Sequence, residues 1–335
     1  MIKSHQHSKS LICVWALLGG LLQAAAVGLP QLSEGEAAQI VGRPLASGFK
    51  RVVWSASEPR RSNLVVYAVR PPKYDEAVLR RLAATFSVKG DIELMPADFI
   101  GAPGYWIRQF IGSNSLRWKC VDFSQLTGRI GYASGEDNHR WNIKEHKPLA
   151  GDVPNAGEAL NKTLALLPLL GLTTKDLEHT ADGAVRWSAL TDVTRYTDLK
   201  DGKRKQYVRQ MNITLWQRVP EGGSVLSVGG GGTLQAGFMS DGKLAEFEIL
   251  FRNLEPLGLL PGKSKDELIA MLRQGKARTF RESLPDSLTV TNCAVVYPQG
   301  NVGMRQAHVW PFYEIKGFAA EGGETNSMSV YVGVK

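Results

Sequence analysis

The feature that most limits what this chain can build is an arrangement that occurs three times. A capped amphipathic helix is followed by β-rich sequence broken at glycine and Asp-Gly turns. The first helix is signalled by Asp75 as N-cap and by Val78, Leu82 and Phe86 with Leu79 and Ala83 on one face. The second opens at Asn155 with Glu158 three residues on, as in a capping box, and carries Leu160, Leu164 and Leu167. Pro168 ends or kinks it, and Gly171 follows. The third opens at Ser264-Lys265-Asp266-Glu267, another capping box, with Leu268, Ile269 and Leu272 as its apolar face. Helices are therefore expected near residues 75–87, 156–167 and 265–275.

The sequence between the helices alternates with the period of strands. Leu64–Val69 precedes the first helix and Pro71-Pro72 stops it. Strands are expected at Tyr105–Phe110, Leu116–Phe123 and Arg129–Tyr132 in the first stretch. The second stretch offers Ala184–Leu190, Gln206–Arg218, Gly232–Met239 and Leu244–Phe251. The third offers Ser287–Tyr297, Ala307–Gly317 and Ser327–Val334. Asp201-Gly202 and Asp241-Gly242 tolerate the positive φ of tight hairpins. Helices that precede antiparallel hairpins, rather than alternating with single strands, argue for an α+β fold. The expected architecture is three consecutive units of one helix packed on antiparallel strands, at residues 60–150, 151–260 and 261–335. Residues 27–59 read as a leader.

The N-terminus carries a second message. Lys3 and Lys9 precede an apolar run from Leu11 to Leu22, and Ala24-Ala25-Ala26 supplies the small residues that a signal peptidase reads. The run is broken by Gly19, Gly20 and Gln23 and is short of the ~20 apolar residues of a spanning helix. Residues 1–26 are read as a cleavable signal peptide, and the protein as extracytoplasmic, either periplasmic or secreted. Without Lys3 and Lys9 the basic count falls from 40 to 38 against 32 acids, a net charge of +6. These charges are dispersed and have no aromatic-plus-basic cluster beside them, so nucleic acid is not expected as a partner. A membrane is expected to be met only through the signal peptide, if it stays uncleaved. Cys120 and Cys293 could pair in an oxidising compartment, or remain as two buried thiols.

Several segments resemble PepSY-like units, which also occur in tandem in exported regulatory proteins of the YycH/YycI type. They are Val65–Val69 with Tyr74-Asp75-Glu76 and Leu82-Ala83; Ala159-Leu160 to Leu170-Gly171-Leu172; Gln217–Gly229 with Phe238–Leu244; and Trp310–Ile315 with Gly317. The resemblance spans residues 60–335. It implies a PepSY/cystatin-like general shape and a regulatory, inhibitory or binding module without catalytic residues. No functional residue carries over from it. The implied partner is another exported or cell-envelope protein or peptide.

The remaining constellations are weak as chemistry. Ser47-Gly48-Phe49-Lys50 has the Ser-x-x-Lys form, but Gly48 weakens the helix that this chemistry needs. The run Gly229–Gly232 lacks the Gly-Lys-Ser/Thr ending of a phosphate loop and leads into a strand. His139, His146, His179 and His308 form no metal-binding spacing. Asp192, Asp198, Glu246 and Glu248 lie on or beside strands. Glu246 and Glu248 alternate with Phe247 and Ile249 as a solvated sheet face would. Lys203-Arg204-Lys205 marks a soluble hairpin tip or a contact for an acidic partner or anionic glycan. Tyr105, Trp106, Trp118, Trp187, Trp216 and Trp310 serve core packing or, in a row, a binding platform. The sequons at Asn161 and Asn212 fall inside a helix and a strand. No catalytic, cofactor-binding or metal residue is assigned. The function expected is an exported, non-enzymatic binding or regulatory protein, with a secreted hydrolase of cell-wall, glycan or peptide substrate as the alternative. The last strand, Ser329–Val334, is either an open edge for a partner or a paired strand of the core.

Overall fold

The computed structural model describes residues 35–59, 62–70, 75–97, 103–112, 117–135, 141–142, 147–148, 153–197, 201–239, 241–282, 285–321 and 324–334. The signal-peptide segment 1–26 lies outside them, as do His139, His146 and Asp198. No helix among the described residues is long and apolar enough to cross a membrane.

In chain order, helix α1 (Gly35–Ile40) is followed by strands β1 (Arg43–Pro44), β2 (Arg51–Trp54) and β3 (Leu64–Arg70). Helix α2 (Glu76–Thr85) leads into β4 (Ile92–Met95), β5 (Gly104–Phe110), β6 (Trp118–Ser124) and β7 (Ile130–Ser134). A short ribbon, β8 (Trp141–Asn142) and β9 (Lys147–Pro148), precedes helix α3 (Ala156–Leu164). Then come β10 (Trp187–Thr197), β11 (Arg204–Trp216), β12 (Ser224–Ser227), β13 (Thr233–Met239), β14 (Leu244–Ile249) and β15 (Asn253–Leu260). Helix α4 (Lys265–Arg273) opens the last stretch, with β16 (Arg278–Thr279), β17 (Ser287–Gln299), β18 (His308–Val309), β19 (Phe312–Glu321) and β20 (Glu324–Gly333).

The local signals place the helices well. Asp75 accepts from the amides of Ala77 and Val78, and Asn155 accepts from that of Glu158. Ser264 and Glu267 close both halves of a capping box. The step at Pro168 is a 3₁₀ turn, Leu167–Leu170, ended by Gly171 at φ 71°.

The architecture is not three helix-on-strand units. The described residues are mostly sheet, 48% strand against 16% helix. The helices α2, α3 and α4 have only 10, 9 and 9 residues. Each is too short to roof a sheet of its own, and the strands solve the problem by pairing over long distances. Strands of the first and second stretches join into one eight-stranded sheet, in the order β10-β11-β13-β14-β7-β6-β5-β4. The junction is the antiparallel pair β7–β14, in register from Glu246↔Ala133 to Ile249↔Ile130. Segments 92–95 and 253–260 lie outside the expected strands and are strands because a partner fixes them and not because of local propensity.

Two compact units result. One comprises residues 70–253 and 299–306, and holds the eight-stranded sheet. Helix α2 packs on β5 and β6, and α3 on β11, so each covers one half of that sheet. The core between them includes Leu79, Leu82, Ala159, Ile213, Leu234 and Phe247. Each such side chain removed from water contributes ~1.5–3 kcal/mol. Phe86 stacks on Tyr132 with centroids 4.4 Å apart.

Of the described residues, the other unit holds 35–69, 254–298 and 307–334. Its larger sheet runs β1-β16-β20-β19-β17, with β2 parallel to β17, and a smaller one runs β15-β3-β18. The described part of the segment read as a leader sends Ile40, Val41, Phe49 and Val52 into this core. The final strand β20 lies between β19 and β16. Thr279 and Arg281 also donate side-chain hydrogen bonds to the carbonyls of Ser329 and Ser327 on it. It is therefore not an open edge.

Candidate functional site

The eight-stranded sheet has one face under helices. The other face carries polar side chains around a hollow of about 390 Å³. Strand alternation decides which residue goes where. On β14, Phe247 and Ile249 belong to the helix-side core, so Glu246 and Glu248 project the opposite way. On β6 the same parity puts Val121 and Phe123 in the core and Cys120 and Asp122 on the other face. On β11, Ile213 and Leu215 go inward, while Asn212 and Thr214 line the hollow.

Two glycines make the hollow possible. Gly131 on β7 and Gly237 on β13 sit in mid-strand, where glycine weakens a strand unless something approaches closely. A Cβ at Gly131 would lie 2.7 Å from Asp122 Oδ2 and 2.8 Å from an Arg129 nitrogen. A Cβ at Gly237 would lie 1.7 Å from Gln210 Nε2 and 2.8 Å from Asn212 Oδ1. Polar side chains thus lie flat across the glycines and meet one another.

Those side chains form two groups. In the first, the Arg129 guanidinium bridges two carboxylates. It donates from Nη1 to Asp122, and from Nε to Glu248 Oε2 at 2.6 Å. In the second, the buried Gln210 donates from Nε2 to Asn212 Oδ1 at 2.7 Å and to Glu246 Oε1 at 2.8 Å. The Asp122 carboxyl ends up at about 6, raised by burial, lowered by Arg129 and raised again by Glu248. Burial wins over the adjacent cation. Burial also works against the Arg129 charge, but Asp122 and Glu248 together outweigh it and the guanidinium is held above its ordinary range. Beside them, the Cys120 thiol is pushed up to about 12 by burial and then by Asp122, so it is no thiolate nucleophile.

The residues singled out from the sequence divide clearly. Glu246 and Glu248 are brought together at the hollow, where Gly229 and Gly230 of the glycine run also lie. That run carries positive φ at Gly229, Gly230 and Gly232 and leads into β13, so it is a loop and not a phosphate cradle on a helix. Asp192 faces Arg209 at 3.8 Å on an exposed strand. Lys50 pairs with exposed Asp286 at 2.9 Å, and Ser47 begins no helix. His179 is exposed and His308 is paired into β18. Cys120 and Cys293 are both free thiols, and burial raises the second to about 12 as well. The tryptophans make no row. Trp310 and Trp106 are buried, and Trp216 lies under Arg186 at 4.4 Å.

Sequence reasoning missed Asp122, Arg129 and Gln210. A signal was present: a charged residue at Asp122 between Val121 and Phe123, and glycines in the middle of two apolar strands. Among the described residues no group of three or more His, Cys, Asp or Glu side chains is placed to hold a metal ion.

No family model matches this sequence, and no curated protein matches it. Among solved structures, the chain is similar to an uncharacterized protein from Eubacterium rectale ATCC 33656. The TM-score is 0.38 and the identity 9%, over 84% of this chain and 85% of that one.

Proposed function

We propose that this chain is an exported binding protein and that the hollow on the helix-free face of the large sheet is its ligand site. Export rests on the charged start, the apolar run and the Ala-x-Ala site within residues 1–26. The observation that carries the binding reading is the state of the charged groups at the hollow. Glu248 and Asp122 share Arg129, and Glu246 takes the amide of Gln210. Held this way, Glu246 and Glu248 are pre-oriented hydrogen-bond acceptors. With Asn212, Thr214 and Gln235 around them, they suit a ligand rich in hydroxyl or amide groups, such as a glycan or peptide of the cell envelope.

The test has two parts. N-terminal sequencing of the natural protein is expected to start after Ala26, and a product starting at Met1 would remove the export claim. The mature protein is then titrated with mono- and disaccharides, amino-acid amides and short cell-wall peptides while its melting temperature is read. One class is expected to raise it in the wild type and to leave a Thr214→Phe variant, whose hollow is filled, unmoved. If no member shifts the wild type, or if the variant shifts equally, the hollow is not a ligand site.

A hydrolase is the second reading, because Glu246 and Glu248 line the same hollow. Residues two apart on a strand stand about 6–7 Å apart, within the span of carboxylate pairs that cleave glycosides. Against it stands the Arg129 guanidinium, which already occupies a Glu248 oxygen at 2.6 Å. Product release from glycan or peptide by the wild type, lost in Glu246→Gln, would establish this reading in place of the first.

A further inference from the structure

The hairpin β10–β11 runs on past the sheet. Strand β11 pairs with β13 only from Gln210 to Trp216. Its pairing with β10 continues from Val193↔Val208 through Arg195↔Gln206 to Thr197↔Arg204. This outer part is a two-stranded arm. Among the described residues no third strand pairs with either of its edges. A bare two-stranded ribbon is marginally stable in water, so an arm of this kind calls for an explanation.

Its surface supplies one. Directly paired residues share a face, so Val193 and Val208 stand side by side, 40% and 37% exposed. Arg195 and Arg204 follow on that same face at the next two paired positions. Over the described residues of the arm, Arg195, Lys203, Arg204, Lys205 and Arg209 face only Asp192 and Asp201. Those two acids are already engaged, Asp201 by Lys205 at 3.1 Å and Asp192 by Arg209 at 3.8 Å. Arg195, Lys203 and Arg204 have no ion-pair partner among the described residues. Among the described residues nothing pairs with the outer edge of β10 along Trp187–Thr197, and Leu190 on it is 71% exposed.

We propose that this arm is a docking edge for an extended acidic polypeptide segment, which adds as a strand to β10. Main-chain hydrogen bonds to the β10 edge supply affinity. A side chain on the Val193–Val208 pair and carboxylates on Arg195 and Arg204 supply specificity. A second copy of this arm is a poor occupant, because like charges would face each other. Basic residues also guard edge strands against unwanted pairing, but a guard does not need a neighbouring exposed valine pair. The inference does not depend on the hollow being a ligand site.

The test uses the mature protein and a fluorescent synthetic peptide alternating valine or threonine with glutamate, followed by anisotropy. Binding in the micromolar range at low salt is expected, weakened about tenfold or more by the pair Arg195→Glu and Arg204→Glu. The same peptide with alternate amides N-methylated keeps its charge but loses the edge hydrogen bonds, and is expected not to bind. Circular dichroism and the melting temperature show that the variant still folds. Should it not fold, Val193→Thr with Val208→Thr replaces it, with the same loss expected. Three results would overturn the proposal: no binding, equal binding of the methylated peptide, or equal binding of heparin and unstructured polyglutamate. The last would make the arm a general anion contact.

Discussion

On β14, Phe247 and Ile249 enter a core roofed by α2 and α3, while Glu246 and Glu248, their immediate neighbours, face the hollow. The two faces of one sheet are built on different physics. The covered face holds apolar side chains whose stability comes from burial and close packing, and any lost volume is felt. The other holds exposed Glu246 beside buried or half-buried polar groups, Asp122, Arg129, Gln210 and Glu248, which are tolerable because each finds a partner beside a glycine. Tight packing fixes the fold, and a satisfied polar floor leaves a shaped, wettable surface for recognition.

The largest expected effect lies on the covered face. Phe247 is 2% exposed and meets Phe86 and Tyr132 at centroid distances of 5.6 and 6.3 Å. Phe247→Ala is expected to cost about 3–5 kcal/mol, seen as a lower urea midpoint with an unchanged slope. A loss under 1 kcal/mol would show that the helices do not close a packed core over the sheet.

On the open face, Arg129→Met comes next. Removing one partner of a buried ion pair usually costs ~3–5 kcal/mol. Here the loss is smaller, because Asp122 already stands at about 6 and takes up a proton once the guanidinium is gone. About 1–2 kcal/mol at pH 7 is expected, and less at pH 5. Asp122 itself sets the sign of the pH dependence. Its carboxyl is raised from 3.8 to about 6 on folding, so the folded state binds the proton more tightly than the unfolded one. Its contribution is therefore greatest below pH ~4 and is lost as the pH rises through ~6. Asp122→Asn is expected to remove that slope, leaving a variant that gains on the wild type between those values. A parallel pair of stability curves would contradict the burial argument.

The two faces were not equally legible in the sequence. Caps at Asp75, Asn155 and Ser264 act over three or four residues, so they mark the helices correctly. Alternation in Leu244–Ile249 and Thr233–Met239 marks the strands in the same way. The β7–β14 pair that fuses two half-sheets joins residues more than a hundred apart, and nothing local specifies it. That pairing turned an expected series of helix-on-strand units into one broad sheet. It also built the hollow, since Arg129 precedes β7 and reaches Glu248 on β14 only across the junction. Glu246 and Glu248 were readable as one polar face, but the partners that fix their roles were not.

The smallest effect expected is the most telling for function. Glu246 is exposed and accepts from the Gln210 amide at 2.8 Å. Glu246→Gln keeps an acceptor oxygen at that distance and removes one negative charge beside the Arg129 group. Stability is expected to move by no more than about 0.5 kcal/mol, as for surface changes that leave no buried group unpaired. Because the fold is spared, any change in ligand binding or product release reports on the hollow alone. A binding site that uses Glu246 as an acceptor would lose a modest factor, since the amide oxygen accepts the same hydrogen bond without the charge. A hydrolase that moves a proton through Glu246 would lose nearly all turnover while still holding its substrate. A variant that loses stability by 2 kcal/mol or more would place Glu246 in the structural network with Asp122, and the open face would then be a second core and not a recognition surface.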